Sequence, residues 1–257
     1  MKLRRSLSRI PALVRRWAPR GPSAHPDHPA FLEDCLDDPV VHVEITSLCN
    51  FHCFYCISPD SPRVKQFMDY DLFAHILPQL RGLTAEPVRL HIDGEPTLHP
   101  RFADMVALAN GAGHRVALAT NGSTLDPDRM LGHQMNLRIH VSHSPANLAR
   151  RSKLPYATYL RKLTGYLKAW HASESDQYLD LNLYYERGEL PREPDAAARY
   201  QTEFAAGFLR DAGLLGADQA LPPLPFAAHN KAGRSVHLQA SAVASGRGGR
   251  SAGTTTS

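Results

Sequence analysis

Three of the four cysteines in this 257-residue chain fall within eight residues, as Cys49-x3-Cys53-x2-Cys56. Thiols this close in sequence cannot all pair as disulfides inside one short loop, but they can converge on one soft metal centre. Sulfur ligands select zinc or an iron–sulfur cluster. A closed structural zinc site takes four protein ligands, and an iron–sulfur cluster normally does too. No cysteine follows Cys56. Three sulfurs therefore point to a centre that keeps one position for a small molecule, as a catalytic zinc does. A zinc-binding module is the competing reading. Cys35, outside the run, reads as a simple buried thiol.

The elements that must position these cysteines can be read from periodicity. Val40–Thr46, just ahead of the run, reads as a β-strand, so the cysteines leave a strand end. Further strands are expected at Val88–Ile92, Val116–Thr120, Leu137–Val141 and Leu179–Tyr184. Between them lie apolar stripes at helical spacing. Leu72, Phe73, Ile76, Leu77 and Leu80 form one, and Phe102, Met105, Val106 and Ala109 another. Asp126-Pro127 is a helix cap followed by proline at the first helical position. Tyr156, Tyr159, Leu160, Leu163, Leu167 and Trp170 form the strongest stripe, and Tyr200, Phe204 and Phe208 mark a last helix. Strands alternating with helices argue for an α/β fold with a parallel sheet and crossover helices. No sixth strand is visible.

Parallel strands buried on both faces usually read as continuous apolar runs. Several of these alternate instead. Glu44 and Thr46, Arg89 and His91, Arg138, His140 and Ser142, and Asp180 and Asn182 each share one face of a strand, with Val, Leu and Ile on the other. The apolar faces are expected to meet helices, and the polar faces to line a common lumen that holds a ligand.

Two further motifs end strands. Asp93-Gly94-Glu95-Pro96 follows the second, where a glycine suits close approach to the backbone. Thr120-Asn121-Gly122 follows the third. Together with the cysteine run and the aromatic Tyr55 before its last cysteine, these motifs resemble the radical S-adenosylmethionine (radical SAM) superfamily, over roughly residues 40–185. The resemblance implies a partial (β/α)6 TIM-like barrel of parallel strands with outer helices. It implies that Cys49, Cys53 and Cys56 hold a [4Fe–4S] cluster whose fourth iron binds S-adenosylmethionine, which one electron splits to a 5′-deoxyadenosyl radical. It assigns Asp93, Gly94 and Glu95 to the methionyl group, Ser142 to the ribose, Asn182 to ribose or adenine, and Tyr55 and Asn121 to the same pocket. Asp93 departs from the family, which has glycine there. Expected partners are an electron donor such as flavodoxin or ferredoxin and a substrate, either a peptide or a small molecule, with a peptide favoured by analogy. A truncated, non-catalytic remnant acting as a binding protein is the alternative within the family. Without a cysteine after Cys56, auxiliary clusters are not expected in this chain.

Composition sets the rest. The net charge of +4 conceals an asymmetry: residues 1–30 carry seven basic residues and one acid, residues 226–257 four basic residues and no acid, leaving 18 basic against 24 acidic residues between them. An acidic body argues against nucleic-acid binding. Free cysteines fit a reducing cytoplasm. Leu3, Leu7, Ile10, Val14 and Trp17 place an apolar face on a basic amphipathic segment over residues 1–20, which could touch a membrane surface but reads more simply as a weakly packed extension. The expected division is a basic extension and linker over 1–30, a core over 31–225, and a low-complexity, disordered tail over 226–257.

Overall fold

The computed structural model describes the backbone of residues 39–53, 56–57, 61–186, 194–221 and 226–243; within these, the side chains of 184–201 and 239–243 are not described. The expectations for residues 1–20, Cys35 and Tyr55 lie outside the described residues.

The described residues build one six-stranded sheet flanked by helices. In chain order the elements are α1 (Tyr70–Ile76), β1 (Val88–Arg89), α2 (Phe102–Gly111), β2 (Val116–Thr120), α3 (Pro127–Met130), β3 (Met135–Val141), α4 (Pro145–Ala149), α5 (Tyr156–His171), β4 (Gln177–Glu186), α6 (Pro194–Asp211), β5 (Phe226–His229) and β6 (Ser235–Val243). The strand order is β1-β2-β3-β4-β6-β5, parallel throughout except for β5, which runs antiparallel to β6. This is the partial (β/α)6 barrel.

Local chemistry explains the boundaries. Asp69 caps α1 by accepting from the backbone of Asp71 and Leu72, and Pro78 confines the next turn, Leu77–Leu80, to a 3-10 helix. Asp126 caps α3, with Pro127 at its first position, and Ser144 with Pro145 does the same for α4. On the strands, Leu137, Ile139 and Val141 are buried while Arg138 between them is exposed. Phe102, Met105, Val106 and Ala109 of α2, and Tyr159, Leu163, Tyr166, Leu167 and Trp170 of α5, cover that apolar face.

Three expectations need correction. Residues 40–46 are not a regular strand: they run extended beside β1, joined by one parallel bridge, His42 to Arg89, and by the hydrogen bonds Val43 N to Arg89 O (2.8 Å) and Arg89 N to Val41 O (2.9 Å). The ladder stops because β1 itself ends at Arg89 and the chain turns into the 91–95 loop. Leu72 is exposed (49%), because α1 buries only Phe73 before the proline ends it. The third concerns the stretch after residue 225, expected to be disordered and to lack a sixth strand. Its residues 226–243 form β5 and β6, and β6 pairs with β4 from Leu179–Val236 to Glu186–Val243, while residues 244–257 lie outside the described residues. Val236 and Leu238 are buried in the common core. The alternation that makes β6 a strand is present, but its outer half is carried by alanine and serine, which have weak strand preference. Asn230 closes the β5–β6 turn, where its Oδ1 accepts from Ala232 and Arg234 N–H and its Nδ2 reaches Ser175 O (2.8 Å).

Leu238→Ala is expected to lower stability in urea unfolding by ~2–5 kcal/mol, as for a core leucine, whereas a disordered segment would show no change.

Candidate functional site

The strand C-termini meet at one mouth, and the cysteine loop lies across it. Thr46 ends the extended segment; its Oγ1 accepts from Leu48 N–H (3.0 Å), which starts the loop. The segment 64–68 runs antiparallel along its outer side through Ser47 N to Gln66 O (3.0 Å) and Met68 N to Ile45 O (2.8 Å). From within the mouth, Asn50 donates through Nδ2 to Ser123 Oγ (2.8 Å) and accepts through Oδ1 from Asn121 Nδ2 (2.9 Å). On the far side His52 N donates to Arg151 O (2.7 Å), and Arg151 Nε donates to Cys53 Sγ (3.2 Å). Cys56 N closes a turn on Cys53 O (3.0 Å). The loop is thus pinned to the end of β2 and to the chain beyond α4.

The three thiols are partly exposed, and none of them is in a disulfide. Cys49 Sγ lies toward Phe51 N–H (3.4 Å) and Asn121 Nδ2 (4.0 Å). Burial first, and then the nearby acidic groups of Glu95, Cys53 and Cys56, push its thiol up to about 11. Among the described residues no three His, Cys, Asp or Glu side chains are arranged as a ready-made metal site. The donor set nevertheless fits a thiophilic centre: three sulfurs on one short loop, close enough to raise the cost of ionising one another, with Asn121 and Arg151 beside them. A cation would remove that cost and release protons.

Glu95 faces inward. Its carboxylate is buried and accepts from Thr97 Oγ1 (2.6 Å), Thr97 N (3.2 Å), Thr120 Oγ1 (2.8 Å) and Asn121 N (2.7 Å). Burial pushes its pKa up, and these hydrogen bonds push it back. Gly94 has no room for a side chain: a Cβ there would stand 1.9 Å from Thr46 O. Asp93 does not stand free. Its carboxylate pairs with Arg63 (3.2 Å), which also binds Glu44, while Glu44 accepts from the backbone N–H of Asp93 (2.8 Å) and Gly94 (3.4 Å).

Ser142, at the end of β3, is fully buried; its Oγ receives Arg151 Nη1 (2.7 Å) and its N–H bonds Tyr159 Oη (3.0 Å). Tyr159 Oη also reaches Asn121 O (3.1 Å), joining the ends of β2 and β3. Asn182 sits on β4 opposite His140, with a buried Oδ1 that has no partner among the described residues. The structure therefore brings Cys49, Asp93–Glu95, Asn121 and Ser142 into one connected mouth, with Asn182 at the neighbouring strand. Sequence reasoning gave no role at the site to Arg63, Asn50, Ser123 and Arg151, and read Tyr159 only as part of a helical apolar stripe. Glu44 was placed on the polar face of its strand, without its contacts to the 93–95 turn.

Below the mouth a groove of about 820 Å³ is lined by the polar strand faces, including Arg89, His91, Arg138, His140, Asp180 and His237. Arg138 Nε binds Asp180 (2.7 Å). His91 Nδ1 accepts from Ala119 N–H (3.1 Å), which leaves its proton on Nε2. Burial, followed by His42 and Arg89, lowers His91 to about 4; burial, followed by Arg151 and Arg138, lowers His140 to about 3.

These histidines are neutral in the folded chain and titrate near 6.5 when unfolded, so below that value the unfolded state binds more protons. Stability is therefore full above pH 6.5 and declines as pH falls toward 4. Urea unfolding at pH 7 and pH 5 should differ by roughly 1–2 kcal/mol per histidine, and His91→Gln should shrink that difference. Gly94→Ala forces the 93–95 loop off Thr46 and should lower stability by at least ~1–3 kcal/mol, the usual cost of overpacking.

Comparison with known proteins accords with this architecture. The model of the radical SAM superfamily matches residues 43–168. The tungsten-containing aldehyde ferredoxin oxidoreductase cofactor-modifying protein of Pyrococcus furiosus is 39% identical over 107 residues, 39% of this chain and 28% of that protein. GTP 3′,8-cyclase of Chlorobaculum tepidum is 33% identical over 88 residues, 34% of this chain and 26% of that protein. The matched part thus spans only about a quarter of each curated relative. Among solved structures, Streptococcus suis SuiB bound to the precursor peptide SuiA superposes with a TM-score of 0.52 at 12% identity, over 71% of this chain and 40% of SuiB. SuiB bound to S-adenosylmethionine gives 0.51 at 11% identity, over 76% and 47%. At that identity SuiB shares the fold alone. The family match begins at Val43, runs through the cysteine loop, the Asp93–Glu95 turn and Asn121, and ends within α5, so it covers the elements that build the mouth; the chain belongs to the radical SAM superfamily.

Proposed function

We propose that this chain is a radical SAM enzyme, with Cys49, Cys53 and Cys56 as ligands of one [4Fe–4S] cluster and S-adenosylmethionine bound beside them in the mouth. When bound, the cluster supplies one-electron reductive cleavage of S-adenosylmethionine to a 5′-deoxyadenosyl radical that takes hydrogen from the substrate. The observation that carries this reading is the join between the cysteine loop and the strand ends: Asn50 and Asn121 link it to β2, and Arg151 links it to Ser142.

The chain's own residues then have distinct tasks. Glu44 and Asp93 give the 93–95 turn acidic surroundings suited to the ammonium group of S-adenosylmethionine, with Arg63 holding both carboxylates in place. Glu95 fixes the turn from behind. Asn182, with its unpartnered buried acceptor, suits a donor on the nucleoside. The groove lined by Arg89, His91 and His140 receives the substrate, whose N–H donors and neutral rings bind polar groups without supplying an acid at neutral pH. SuiB, crystallised with a precursor peptide, shares this fold, and a peptide is the favoured substrate. The electron donor is a small redox protein such as flavodoxin or ferredoxin, in a reducing cytoplasm. No helix among the described residues is long and apolar enough to cross a membrane.

Anaerobic reconstitution tests the reading. The wild-type chain should bind about four irons and turn brown, and on reduction it should release 5′-deoxyadenosine from S-adenosylmethionine. Replacing any one of the three cysteines by alanine should abolish that product. A colourless protein holding zinc, or an iron-loaded protein that leaves S-adenosylmethionine intact, would overturn it.

A further inference from the structure

We propose that Arg151 sets the reduction potential of the metal centre: its buried guanidinium, hydrogen-bonded to the sulfur of Cys53, makes the centre easier to reduce. This rests on the reading that Cys53 is a cluster ligand.

Four contacts lock Arg151 where it is. Its side chain is almost wholly buried (1% exposed). Nε–H donates to Cys53 Sγ at 3.2 Å, and Nη1 donates to the buried Ser142 Oγ at 2.7 Å. The guanidinium carbon stands 5.2 Å from the centre of the Phe51 ring. The backbone carbonyl accepts from His52 N–H, one residue before Cys53, at 2.7 Å. Side chain and backbone of one residue therefore grip the same turn of the cysteine loop.

The charge is permanent, since a guanidinium does not lose its proton in proteins. In a buried setting its field is weakly screened. The potential of an iron–sulfur centre is tuned by net charge and by hydrogen bonds to its sulfurs. Both act in one direction here. Adding an electron increases the negative charge on the sulfurs, and a fixed cation with an N–H aimed at one of them stabilises that state more than the oxidised one. A purely structural arginine could fill the same space and grip the same loop, but its removal would change stability and leave the potential where it was.

The experiment is a potentiometric titration, followed by EPR, of the anaerobically reconstituted full chain as wild type, Arg151→Met and Arg151→Lys, with iron content measured alongside. Arg151→Met should shift the midpoint to more negative values. Arg151→Lys, which keeps the charge and loses the fork, should fall between. Equal midpoints in wild type and Arg151→Met at equal iron content would overturn the proposal while leaving the cluster assignment intact. A wild-type chain that takes up no iron would overturn the assignment and the proposal together. If Arg151→Met fails to hold iron, Arg151→Lys and Ser142→Ala decide: a more negative midpoint in both supports the proposal, and wild-type values in both defeat it.

Discussion

A single buried carboxylate holds the mouth of this barrel together. Glu95 is removed from water, which disfavours its charge, and the protein answers with four hydrogen bonds from Thr97, Thr120 and Asn121. A buried carboxylate left short of donors would be costly, so these groups must stay together. Two of the donors belong to the end of β2 and two to the turn that follows β1. The carboxylate therefore bolts neighbouring strand ends to each other. Gly94, just before it, presses on the carbonyl of Thr46, two residues ahead of Leu48 where the cysteine loop begins. The placement of the sulfurs is inherited from this contact rather than set by the loop itself.

Tyr159 does for β3 what Glu95 does for β2. It rises from the buried face of α5, and its hydroxyl reaches the backbone of Asn121 and Ser142. An outer helix thus helps set the spacing of two strand ends. Functional side chains on barrel folds gather at the C-terminal ends of strands, and here the packing layer and the polar mouth share a residue.

Much of this was legible in the sequence. β2 matches the expected Val116–Thr120 residue for residue, the α2 stripe is buried as spaced, and the polar alternation of β3 and β4 does line a groove. These signals are local: a period of two or 3.6, or a capping aspartate before proline. The rest was not local. β6 is a strand because β4 offers a long parallel partner, not because its Ala- and Ser-rich residues prefer extension. Arg63 and Arg151 look like ordinary surface arginines in sequence; only the fold brings one to Glu44 and Asp93 and the other to Cys53. The family motifs named Asp93 and Ser142 but could not say that each is already engaged by an arginine.

The sheet begins and ends with antiparallel pieces. The segment 64–68 lies along the 41–46 side, and the four-residue β5 lies along β6. Edge strands are where sheets recruit other chains, and short or covered edges blunt that tendency. An incomplete barrel carries two such margins where a closed one carries none. Both margins of the described sheet are thus closed by short pieces, which leaves little unpaired backbone on which another strand could be added.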